Sequence, residues 1–139
     1  MAKYETVLKG DFDWYRKRIV NGILKTSSSA SLEDKSDFTS QDGKVRCIVR
    51  VFERYSAFGD NRVSLTVTLF QDETGDIHLS GITSGGSQAM FFKINTVGEE
   101  TFLYKLKDVV NNLKEEAETA KTEDKNAEDK TENNEEKSE

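Results

Sequence analysis

The chain has 139 residues, a third of them charged, with no proline, one cysteine and one histidine. A net charge of −6 opposes general attraction to nucleic acid, one cysteine excludes an internal disulfide, and no segment reaches the roughly 20 apolar residues that span a bilayer. The opening MAKYETVLKGDFDW also lacks the apolar run of a secretory signal, so the expectation is a soluble cytoplasmic protein with no membrane partner.

Tyr4 to Lys9 reads as a first strand, and Gly10 with Asp11 supplies a turn and a helix N-cap. Phe12, Tyr15, Ile19 and Ile23 then recur at spacings of three and four, which predicts an amphipathic helix ending near Thr26. The serines after it form a loop, and SLEDKSDFTSQDGK reads as a weak strand with a polar turn at Asp42-Gly43.

Two strong strands follow. In VRCIVRVFERY, Val45, Cys47, Val49 and Val51 alternate with Arg46, Ile48, Arg50, Phe52 and Arg54; in RVSLTVTLF, Val63, Leu65, Val67 and Leu69 alternate with polar residues. The valine and leucine sides are expected to share one core face, with the arginines outward. DIHLSGIT gives a further strand, with Gly81 as a candidate bulge. MFFKIN reads as an extended edge segment, Thr96 and Glu99 have capping-box spacing, and Phe102, Leu103, Leu106, Val109, Val110 and Leu113 form a second helical stripe.

Residues 117–139 hold nine acids against four lysines, hence five of the six net negative charges, and no aromatic or branched aliphatic residue. Such a segment buries too little apolar surface to offset the entropy of ordering, so a disordered acidic tail is expected behind a single domain over 1–116. The element order β-α-β-β-β-β-α points to an α+β fold, a two-layer arrangement of an antiparallel sheet with two helices packed on one face.

The stretches ASLEDKSDF, VRCIVRVFERYS, NRVSLTVTLF and ITSGGSQAMFFKINTVGEETFL resemble a family of small uncharacterised proteins from Gram-positive bacteria such as clostridia and streptococci. The resemblance covers residues 1–113, implies a bacterial cytoplasmic setting and carries over no catalytic residue. The topology is also similar to the TATA-binding-protein-like fold, a likeness that does not transmit function.

Little in the chain suggests catalysis. His78 is placed on the outward sheet face without neighbouring zinc ligands, and Cys47 among valines reads as a core thiol. GGSQA nears the G-x-S-x-G elbow of hydrolases, but the only histidine precedes it and the domain is short. The acids Glu33, Asp34, Asp37 and Asp42 lack the pattern of a calcium loop, and no phosphate-binding glycine signature occurs, so no cofactor or metal is expected.

The candidate binding residues are Arg46, Arg50, Phe52 and Arg54 on the outward sheet face, and Ser84, Ser87 and Gln88 around Gly85-Gly86, where successive N–H groups could cradle an anion. The leading reading is a non-catalytic binding module that meets an unknown protein partner or a second copy of itself. A sensor or enzyme with an anionic small molecule is the alternative. Single-stranded nucleic acid comes third, because arginines interleaved with aromatics suit it while the overall charge does not.

Overall fold

The protein is described by a computed structural model over residues 1–55, 61–85 and 92–136, with side chains described over 1–55, 61–85 and 101–132. Its elements are β1 (Ala2–Leu8), α1 (Phe12–Leu24), β2 (Ser31–Thr39), β3 (Arg46–Tyr55), β4 (Arg62–Gln71), β5 (Ile77–Gly85) and α2 (Phe92–Glu136). The five strands form one antiparallel sheet in the order β1-β5-β4-β3-β2. The chain thus enters at one edge, passes through α1 to the other edge, and returns strand by strand to close beside β1. The fold is α+β, with the expected order of elements.

Local chemistry accounts for the first helix. Asp11 lies in extended backbone and its carboxylate accepts the Trp14 N–H at 2.7 Å, which satisfies one of the orphan donors of the first turn. Phe12, Tyr15, Ile19 and Ile23 are all buried, and they meet Phe102, Leu103, Leu106, Val110 and Leu113 of α2 over the sheet. Val63, Leu65, Val67 and Leu69 of β4 complete that core from below, with Ile77 and Leu79 of β5.

β3 lies the other way up from expectation. Ile48, Arg50, Phe52 and Arg54 stand opposite Leu69, Val67, Leu65 and Val63, so they face the helices, while Cys47, Val49 and Val51 point outward. Both alternations hold apolar residues, but Phe52 and Ile48 bury more surface than valines can, and hydrophobic stabilisation scales with that area. Arg46 and Arg50 come along because each turns its head to a carboxylate at the margin of the core, and Arg54 lies against the Phe102 ring.

Gly81 is not a bulge. It pairs regularly with Tyr4 and Val67, and a Cβ there would stand 2.2 Å from Leu106 Cδ2, so the glycine lets α2 settle close to the sheet. The irregularity lies instead in β2, between Leu32 and Asp34, on an exposed and charged edge strand. Such an edge resists pairing with foreign strands.

α2 begins at Phe92, so the backbone from there to Asn95 is helical where an extended segment was expected, and Thr96 and Glu99 lie inside the helix. A short apolar run does not distinguish strand from helix by periodicity. The helix also continues through residues 117–136, where the composition suggested disorder. Alanines favour helix, Lys121 and Lys125 stand three or four positions from Glu118, Asp124, Glu128 and Asp129, and the Thr119, Thr122 and Thr131 hydroxyls bond carbonyls four residues back. Residues 118–132 are nonetheless exposed throughout. Residues 137–139 lie outside the described ones. No helix among the described residues is long and apolar enough to cross a membrane.

Candidate functional site

With both helices on one side, no described residue covers the other side of the sheet. The antiparallel registers fix which side chains share it. Across one row run Val7, His78, Phe70, Cys47 and Phe38; across the next, Glu5, Ser80, Thr68, Val49 and Ser36; across a third, Lys3, Ile82, Thr66, Val51 and Asp34. Val7 is 44% exposed, Phe70 and Ile82 40% each, and Phe38 64%. From Thr66 and Thr68 outward to Val49, Val51, Ser80 and Ile82, the middle of the face holds aliphatic and hydroxyl side chains and no charge. Charges stand at its margins, where Lys3 meets Glu5 and Arg62 meets Glu53.

A shallow depression of about 490 Å³ opens on this face between β1 and β4, lined by residues that include Glu5, Thr68, Phe70, His78 and Ser80. His78 Nε2 lies 2.8 Å from Asp72 Oδ2, and its ring tilts against Phe70 with centroids 6.0 Å apart. The Thr74 hydroxyl and then His78 hold the Asp72 carboxyl at about 2, against an ordinary 3.8. This group ties the β4–β5 turn together. Among the described residues, no three His, Cys, Asp or Glu side chains are grouped to hold a metal ion.

The arginine line expected on this face is on the opposite one. Arg46 donates from Nη1 and Nη2 to the two oxygens of Asp13 at 3.1 and 3.0 Å and stacks 4.3 Å from the centre of the Phe12 ring. Arg50, 6% exposed, meets Asp37 at 2.8 Å and donates to the Ser36 and Val49 carbonyls. These guanidinium contacts hold the Asp13 and Asp37 carboxyls below the usual carboxylate range. Phe52 is fully buried, and Arg54 lies against Phe102. A surface of arginines interleaved with aromatics therefore does not form, and the nucleic-acid reading loses the pattern that motivated it.

Ser84 is on the open face, where its hydroxyl and carbonyl engage the Ser64 hydroxyl at 2.9 and 3.1 Å. Ser87, Gln88 and Gly86 lie outside the described residues. Alternation placed His78 outward, as found, and put Cys47, Val49 and Val51 in the core, where they are not. Counting Ile48 and Phe52 by volume against the valines is the signal that would have reversed that assignment.

The family described as a family of unknown function, DUF6054, matches residues 1–114. The chain belongs to this family. No curated protein matches, and no solved structure matches. The comparisons give DUF6054 no activity, so the surface chemistry carries the functional argument.

Proposed function

We propose that this DUF6054 chain is a non-catalytic binding module whose open sheet face pairs with the same face of a second copy. The observation that supports this is the charge-free middle of the face, with Val7, Phe70 and Ile82 exposed around it. Specific interfaces have that anatomy, with a centre depleted of charge and a polar rim. A neutral face is compatible with itself, since pairing two copies brings no like charges together at the centre.

The dimensions are sufficient. Five strands and six or so residues of each make a face roughly 20 Å on a side. Pairing two such faces removes on the order of 1,000 Å² of accessible surface, which meets the lower bound for a specific interface. Two sheets packing face to face is also a common arrangement. The acidic part of α2 belongs to the helix layer behind the sheet, so two copies bring their neutral sides together and keep their acidic helices apart. A bacterial cytoplasmic setting, in a Gram-positive organism, goes with this reading and suits the single unpaired Cys47.

The test is sedimentation velocity over a wide range of protein concentration, with Thr66→Glu beside the wild type. Thr66 stands between Val51 and Ile82, so a carboxylate there remains solvated in one copy and is buried in a pair. The wild type should dimerise and Thr66→Glu should remain monomeric. A wild type that is monomeric throughout, or a variant that dimerises equally well, contradicts the proposal.

A further inference from the structure

We infer that Arg54 is the anchor of a binding site for a small oxyanion, a carboxylate or a phosphate, at the end of the sheet where β3 finishes. The inference is independent of the pairing of sheet faces.

The chain has six arginines, and five meet a carboxylate. Arg16 and Arg46 share Asp13, Arg18 meets Glu116, Arg50 meets Asp37, and Arg62 meets Glu53. Arg54 is the exception among the described residues. It is 9% exposed, its Nε has no hydrogen-bond partner, and its guanidinium carbon stands 4.5 Å from the centre of the Phe102 ring. An aromatic face attracts a cation but offers no acceptor for its N–H fork.

Arg46 shows what is missing. It has the same stacking on a ring, Phe12, and it also has a carboxylate across both Nη atoms. A guanidinium sheltered from water with no anion beside it among the described residues is costly, and burial lowers the pKa of Arg54 without bringing its neutralisation within reach. An oxyanion with two adjacent oxygens fits the fork and removes that cost.

Arg54 is one residue from the end of β3, next to the exposed Tyr55. Ser29 Oγ accepts the Tyr55 N–H at 3.2 Å and lies 3.0 Å from Ser27 Oγ, which brings two hydroxyls to the same end of the sheet.

The experiment is a titration of the full chain, labelled with nitrogen-15, with inorganic phosphate and separately with acetate, each at ionic strength matched by sodium chloride. A saturable shift of the Arg54 Nε–Hε resonance is expected, with those of Arg46 and Arg50 unmoved, together with a rise in melting temperature. Both responses should vanish in Arg54→Met, which keeps the stem and removes the charge. The anion that acts at lower concentration names the subclass. No saturable movement with either ion, as would follow if a carboxylate of the chain already fills the fork, overturns the inference. An equal rise in melting temperature in Arg54→Met also overturns it. Should that variant fail to fold, the wild-type resonance decides alone.

Discussion

Three substitutions along β3, Phe52→Ala, Arg50→Ser and Val49→Ser, test the facing of the strand on which the open surface depends. Phe52 is fully buried between Leu32 and Leu65 in register, so its removal leaves a cavity under the helices and should cost about 3 to 5 kcal/mol. Arg50 is 6% exposed, and serine deletes its bonds to the Ser36 and Val49 carbonyls as well as the packing of its stem. The Asp37 carboxylate left behind is 55% exposed and stays hydrated, so the loss is about 2 kcal/mol and not that of a stranded buried charge. Val49 is half-buried between Ser36 and Thr68, and a serine there remains solvated, so about 1 kcal/mol is expected. The assay is urea unfolding followed by the fluorescence of Trp14, the single tryptophan, at a concentration too low for self-association. A cost for Val49→Ser that exceeds that of Phe52→Ala would refute the facing.

Gly81→Ala should destabilise by about 1 to 3 kcal/mol, because its methyl meets Leu106, and the penalty should disappear in a Leu106→Ala background; equal penalties in both backgrounds, read by urea unfolding, refute the contact. Gly85 has φ +152° and its Cβ would approach the Arg62 carbonyl oxygen at 2.6 Å, so Gly85→Ala should cost about 2 kcal/mol, and a neutral result by the same assay would contradict this. Asp72 has a folded pKa of about 2, below its ordinary 3.8, so its contribution is present above the ordinary value and is lost as pH falls through the folded one. The gap in melting temperature between wild type and Asp72→Asn should therefore be full near about pH 5 and close toward pH 2; a gap that widens on acidification refutes it. We propose that residues 1–116 form the folding unit: ending the chain after Glu118 should leave the melting temperature within about 3 °C, and a larger drop would mean that the rest of α2 stabilises the body.

Much of the fold was legible because periodicity reports burial wherever only one alternation is apolar. Phe12, Tyr15, Ile19 and Ile23 read as a helix face and are one, and β4 alternates cleanly between Val63, Leu65, Val67, Leu69 and its hydroxyls. β3 was ambiguous because apolar residues stand on both of its sides, and the rule that arginine faces water decided it wrongly. That rule fails where partners exist, and Asp13 and Asp37 lie 33 and 13 positions from Arg46 and Arg50, contacts that only the fold reveals. The candidate surface was displaced for the same reason: the open face was expected, but its basic residues belong beneath it, and Val49 and Val51 of its neutral centre were assigned to the core. Helix in residues 117–136 was hidden because composition measures the lack of a core and says little about local backbone preference.

The claim that the open sheet face is a self-pairing surface is tested most directly at Cys47, which stands on that face between Phe70 and Phe38. The second-order rate constant of its reaction with Ellman's reagent should be measured as protein concentration rises, for the wild type and for Thr66→Glu. Pairing predicts a wild-type rate constant that falls as copies cover one another, and a variant rate constant that stays constant. A wild-type rate constant that does not change with concentration, while sedimentation shows dimers, would place the interface elsewhere on the molecule.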